Sequence, residues 1–93
     1  MAFYVYILQT EQDGTFYKGY TEQPLERLKQ HNNQESSYTS SKVPWKLVGL
    51  LVFATKKEAL IKEKKLKKYS KESLVSLINS TQNILQHYLA SVG

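Results

Sequence analysis

The chain has 93 residues, enough for one domain around one hydrophobic core. Hydrophobic residues make up 41% and charged residues 23%, a globular balance that excludes a disordered tail or low-complexity linker. Cysteine is absent, which excludes a disulfide scaffold, a thiolate zinc site and a cysteine nucleophile together. The net charge is +5, and all of it falls between Lys56 and Glu72, where eight lysines stand against three glutamates; Arg27 is the single arginine.

Phe3 to Thr10 is dense in aromatic and β-branched residues and predicts a strand, with Phe3, Val5 and Ile7 on one face and Tyr4, Tyr6 and Leu8 on the other. Asp13-Gly14 is a hairpin signal, because a tight turn needs a positive φ that glycine adopts without penalty. A second strand follows over Thr15 to Thr21, with Phe16, Lys18 and Tyr20 on one side and Tyr17 and Gly19 on the other. Pro24 to His31 reads as a helix with Pro24 in its first turn and Leu25 and Leu28 as the buried stripe. Arg27 and His31, at i and i+4, share a flank beside that stripe. Asn32 to Ser41 reads as a polar loop. Trp45 to Ala54 reads as a third strand, expected at the centre of the sheet because it is apolar on both faces. Its apolar run, from Leu47, is interrupted by Gly49 and is far too short to span a bilayer. The N-terminal Met1-Ala2-Phe3-Tyr4 lacks the basic start of a signal peptide. A soluble, cytoplasmic chain without a membrane partner is expected.

Thr55 and Glu58 have the spacing of a capping box, which starts a lysine-rich helix at Lys56 that is expected to run to about Tyr69. Ser70 caps a further helix carrying Leu74, Val75, Leu77 and Ile78. Ile84, Leu85, Tyr88, Leu89 and Val92 form one more amphipathic stripe, and whether Asn79-Ser80-Thr81 separates the two stays open. The order is ββαβα plus one or two C-terminal helices, an α+β domain. Residues 1–79 form its core and 80–93 a helical extension.

Glu63 stands out on the basic helix. Counted from Ala59 at about 100° per residue, Leu66 falls at about −20°, Glu63 at about 40° and Leu60 at about 100°. A carboxylate inside an apolar stripe is costly unless it is paired or binds a cation. Two readings stand: an ion pair with Lys67 or Lys62, or a metal ligand facing a cleft. Tyr6 and Tyr17 read singly as amphipathic strand residues, Arg27 as a solvated helix residue and His31 as a surface histidine; their joint order carries more.

Taken in that order, Tyr4-Val5-Tyr6, Tyr17-Lys18-Gly19, Arg27, His31 and Glu63 resemble the GIY-YIG nuclease domain, specifically its small single-domain bacterial group, related to the nuclease domain of the excision-repair subunit UvrC. The resemblance covers roughly Phe3 to Ile78. Tyr17-Lys18-Gly19-Tyr20-Thr21 and Pro44-Trp45-Lys46-Leu47-Val48 also resemble recurring words of that group. Tyr4 replaces the glycine of the first tripeptide and Lys18 the isoleucine of the second. The family's fold is a three-stranded antiparallel sheet flanked by helices.

The resemblance implies a metal-dependent endonuclease that hydrolyses DNA phosphodiester bonds, with RNA left open as a substrate and DNA repair as its setting. By resemblance, Tyr17 is the general base, with Tyr6 hydrogen-bonded alongside. Arg27 binds the scissile phosphate, a task suited to a planar fork of donors, and His31 assists by hydrogen bonding or proton transfer. Glu63 holds one divalent cation, Mg²⁺ or Mn²⁺. Asn79 is the nearest match to a family asparagine. Lys18, Lys42, Lys62, Lys64, Lys65 and Lys68 are expected to track the nucleic-acid backbone, a sequence-independent attraction. Two alternatives remain: a catalytically silent nucleic-acid-binding module of the same fold, or a nuclease domain that takes its specificity from a protein partner or a second copy docked on the C-terminal helix.

Overall fold

In a computed structural model, which describes residues 2–92, three strands and four helices follow in the order β1 (Phe3–Thr10), β2 (Phe16–Thr21), α1 (Pro24–Asn32), β3 (Trp45–Phe53), α2 (Lys56–Leu66), α3 (Lys71–Ile78) and α4 (Leu85–Val92). The strands form one antiparallel sheet in the order β2-β1-β3, so the domain is α+β as expected. Gly14 takes φ +79 in the turn between β1 and β2, and the Asp13 carboxylate accepts a bond from the Thr15 amide at 3.0 Å. A short 3-10 turn at Ser40–Lys42 precedes β3.

Strand alternation divides the core into two layers. Val5, Ile7 and Leu51 meet Ala59 and Leu66 of α2 and Leu74 and Leu77 of α3 on one face, with Phe3, Phe16 and Tyr20 packed alongside. On the other face Tyr6, Leu8, Trp45 and Leu50 meet Leu28 of α1 and Ile84, Leu85 and Tyr88 at the C-terminal end. The side assignments of β1 and β2 follow the strand period of two.

β3 does not lie at the centre of the sheet; β1 does. An apolar edge strand needs its open backbone groups covered, and residues just before α4 do this. The Asn83 side chain accepts from the Leu50 amide at 2.9 Å and donates to the Val48 carbonyl at 3.0 Å, while the Ile84 amide donates to the Leu50 carbonyl at 2.8 Å. Asn83 also donates to Ile78 O and accepts from the Leu85 amide, fixing the path from α3 into α4. α3 and α4 are therefore separate helices.

Several helix faces differ from the sequence expectation. Along α1 the inward face is Pro24, Leu28 and His31, which fall within about 60° of one another, while Leu25 lies about 100° from Pro24 and is 40% exposed. α2 ends at Leu66, short of Tyr69, and Leu60 is exposed together with Ile61. At the start of α2, Thr55 Oγ1 accepts from the Glu58 amide at 3.1 Å, but the Glu58 carboxylate takes the Thr55 hydroxyl rather than a backbone N–H. Ser70 caps α3 through the Ser73 amide, and Val75 faces solvent while Leu74 and Leu77 turn inward. On α4, Leu85 and Tyr88 close the core, and Tyr88 packs edge-on against Tyr4 at 5.4 Å; Leu89 and Val92 are exposed.

Candidate active site

Tyr6 anchors the site. It lies on the central strand with its ring turned away from α2, directly opposite Gly19 on β2. A methyl group on Gly19 would stand 2.4 Å from the Tyr6 hydroxyl oxygen and 2.5 Å from its ring carbon, so the phenol occupies the space that only a glycine leaves open. This is the physical reason for glycine two residues after Tyr17.

The hydroxyl of Tyr6 is 2.9 Å from His31 Nε2, and Arg27 Nε donates to the same hydroxyl at 3.4 Å. His31 Nδ1 lies 2.7 Å from Thr39 Oγ1, and that hydroxyl in turn donates to Ser36 O. One proton arrangement satisfies all four contacts. The Arg27 N–H points to the Tyr6 oxygen, the Tyr6 O–H to Nε2, the Nδ1–H to Thr39, and the Thr39 hydroxyl to Ser36 O. His31 is neutral in that chain. Its environment agrees, since burial, followed by the neighbouring Arg27 charge, brings its pKa down to about 4. Burial pushes the Tyr6 phenol up to about 12, with Tyr17 and Glu63 contributing against the lowering effect of Arg27. Both groups are thus held uncharged at neutral pH.

His31 is fully buried, which corrects the surface histidine expected from helix pattern alone. Thr39, also fully buried, holds it from the loop side and accepts the Trp45 indole N–H on its backbone carbonyl at 3.0 Å. Thr39 has no sequence signal of its own in a polar loop without periodicity. Arg27 sends a second nitrogen to Gln30 Oε1 at 2.8 Å.

Tyr17 is half-buried and packs against this network, with its ring centroid 5.1 Å from His31, 6.2 Å from Tyr6, 6.2 Å from Trp45 and 5.7 Å from Tyr38. It borders an open cleft of about 500 Å³, also lined by Phe16, Lys18, Tyr38 and Lys67. Residues from both faces of β2 reach this cleft because β2 is a sheet edge. The structure thus brings Tyr6, Tyr17, Arg27 and His31 into one contiguous cluster.

Glu63 projects from the sheet-facing side of α2 with its side chain 21% exposed, and Lys67 Nζ stands 4.0 Å from its carboxylate. The ion-pair partner expected at i+4 is therefore present, in a long and open contact. The Glu63 charge also acts on the Tyr6 phenol. Among the described residues no group of three or more His, Cys, Asp or Glu side chains gathers as a metal cage. Glu63 does not itself line the cleft, although its neighbour Lys67 does; a single partly exposed carboxylate suits a hydrated Mg²⁺ that completes its shell with water and phosphate oxygens, so this donor fits such an ion.

The lysines divide. Lys18 is half-buried at the cleft, and burial, with the nearby Lys67 charge, lowers its pKa. Lys67, absent from the expected nucleic-acid set, lines the same cleft. Lys62 leans on Tyr69, with Nζ 5.7 Å from the ring centre. Lys64 and Lys65 on the outward side of α2, and Lys68 in the turn just after it, lie around Ile61, apart from the cleft. Lys42 is paired with Asp13 at 2.6 Å. Asn79 is exposed at the end of α3, where its backbone N–H caps the helix; the asparagine that ties this region to the sheet is Asn83.

A family model of the GIY-YIG catalytic domain matches residues 2–76. The chain is 38% identical over 77 residues to a UPF0213 protein of Staphylococcus saprophyticus, covering 82% of this chain and 93% of that one. It is 41% identical over 81 residues to a UPF0213 protein of Halalkalibacterium halodurans, covering 83% and 85%. The solution NMR structure of that same UPF0213 protein, described there as from Bacillus halodurans, superposes with a TM-score of 0.56 at 34% identity, over 88% of this chain and 87% of that one. With the match running from β1 through most of α3 and enclosing the Tyr6, Tyr17, Arg27, His31 and Glu63 positions, the chain belongs to the GIY-YIG catalytic domain family.

Proposed function

We propose that this domain is a metal-dependent endonuclease that cuts DNA by water attack on a phosphodiester. The observation that supports it most is the division of labour between the two tyrosines. Tyr6 has its hydroxyl committed to His31 and Arg27 and is 2% exposed, whereas Tyr17 stands at the wall of the open cleft. A general base must reach the proton that it removes, and Tyr17 is the phenol with that access.

In this reading Tyr17 acts as the phenolate, having released its own proton to solvent, and takes the proton of the attacking water to return to the neutral phenol. Tyr6 and His31 form a rigid neutral support that holds Arg27 Nε, Gln30 takes an N–H of the second nitrogen, and the third nitrogen of the guanidinium is left to a phosphate oxygen. His31 acts by hydrogen bonding, since its two ring nitrogens are occupied by Tyr6 and Thr39. Glu63 would hold the divalent cation, which supplies charge neutralisation at the phosphate and the leaving oxygen. Lys18 and Lys67 attract the nucleic-acid backbone at the cleft.

The test is incubation with supercoiled, branched and single-stranded DNA in Mg²⁺ or Mn²⁺ and in chelator. Cleavage is expected with the metals and is lost in chelator, in Tyr17→Phe and in Glu63→Gln. Cleavage that survives both substitutions overturns the reading, and binding to every substrate without any cleavage supports a silent binding module instead.

A further inference from the structure

The cleft beside Tyr17 carries a feature that phosphodiester hydrolysis does not require. Tyr38 is 81% exposed, the most open large hydrophobic side chain among the described residues, and its ring centroid sits 5.7 Å from that of Tyr17. Exposing an aromatic ring on a loop costs apolar solvation and gains no packing. The backbone next to Tyr38 is nevertheless anchored. Neighbouring Thr39 is fully buried, bonded through Oγ1 to His31, through its amide to Ser36 O and through its carbonyl to the Trp45 indole. The loop thus presents one aromatic face to solvent from a platform locked to the catalytic network.

Lys18 and Lys67 lie in the same cleft, close enough for the Lys67 charge to act on Lys18. Two mutually repelling cations beside an exposed aromatic ring are matched by a ligand with a flat π-system flanked by negative charge. A nucleotide in a single strand has both. Bases within a duplex are stacked on each other and offer no free face to a side chain. The cleft volume of about 500 Å³ lies in the range of pockets that enclose small organic ligands, which is adequate for one splayed nucleotide.

We propose that Tyr38, Lys18 and Lys67 form a receptor for one unpaired nucleotide next to the bond to be cut, and that the domain acts on single-stranded or locally unpaired nucleic acid. This rests on the nuclease reading and narrows its substrate class. Tyr38 stacks on the base, and Lys18 and Lys67 contact the adjoining phosphates. Tyr17, at the inner wall, then lies beside the same stretch of backbone.

The probe is a short oligonucleotide carrying 2-aminopurine, single-stranded or annealed to its complement, titrated with the full chain in chelator so that binding is read without cleavage. Single strands are expected to bind more tightly than the duplex, with quenching of 2-aminopurine by stacking. Tyr38→Ala should weaken single-strand binding about 5- to 150-fold, the span of one base–aromatic stack, and leave duplex affinity unchanged; Tyr38→Phe should retain affinity and quenching. Tyr38→Leu, which keeps bulk without a π-face, should behave like the alanine variant. Equal losses on both substrates, no loss on either, or quenching that survives Tyr38→Ala overturns the proposal. A protein that shows Tyr38-dependent binding of single strands but cuts nothing with Mg²⁺ overturns the nuclease reading and supports the nucleotide receptor.

Discussion

His31 should make the domain acid-sensitive in a defined window. An exposed histidine, as in the unfolded chain, takes up its proton near pH 6.5, whereas the buried ring in the folded protein resists protonation down to about pH 4. Between those values the unfolded state binds more protons than the folded state, so stability falls as the pH falls. At about 1.4 kcal/mol per pH unit, a window of about 2.5 units corresponds to about 3.5 kcal/mol. That is a large share of the roughly 5–15 kcal/mol typical of a domain. Asp13 also loses stabilisation in acid, because the Lys42 ammonium holds its carboxyl well below the ordinary value of 3.8, but that loss sets in only at the acid end of the His31 window. Urea denaturation between pH 7 and pH 4 measures the slope, and His31→Gln, which has no proton to gain there, should flatten it by most of that amount whatever its stability at pH 7. An unchanged slope in His31→Gln would refute both the burial of the ring and the neutral proton chain built on it. The same chain predicts that nuclease activity declines once the folded protein itself protonates near pH 4, because Nε2 can then no longer accept from Tyr6.

Gly19→Ala should cost about 1–3 kcal/mol, the usual range for overpacking, since the Tyr6 ring opposite is fixed by Arg27 and His31 and has no space to retreat; a wild-type urea midpoint would contradict the close approach. Asn83→Ala removes four side-chain hydrogen bonds and uncovers the β3 edge, an expected loss of about 2–3 kcal/mol, with faster hydrogen exchange at the Leu50 amide as its local signature. Arg27→Lys keeps the charge but loses the fork that spans Tyr6 and Gln30, so kcat should fall about 100-fold or more while thermal stability changes little; equal activity would remove Arg27 from the phosphate.

The order of Tyr6, Tyr17, Arg27, His31 and Glu63 makes the family legible in the sequence, and the sides of β1 and β2 follow from a strand period that leaves a side chain no third direction. The helix faces are less legible. Leu25, Leu60 and Val75 are apolar yet exposed, because helical spacing marks a broad stripe and only the neighbouring sheet determines which part of it is covered. β3 has the apolar character of a central strand but lies at the edge, since the chain that follows α3 supplies Asn83 and Ile84 to its open side, a long-range pairing with no local pattern.

The positive charge divides in the same way. Composition places it between Lys56 and Glu72, but the turn of α2 decides that Lys67 joins Lys18 at the cleft while Lys64, Lys65 and Lys68 face outward. Residue types and their order determine which family the chain belongs to and which chemical groups it can bring to bear. Only the tertiary structure decides which phenol is locked and which borders the cleft, that His31 is buried and neutral, that Thr39 holds it and that Tyr38 lines the cleft. Those properties depend on desolvation and on hydrogen bonds between segments far apart in the chain, and neither is a property of a residue by itself.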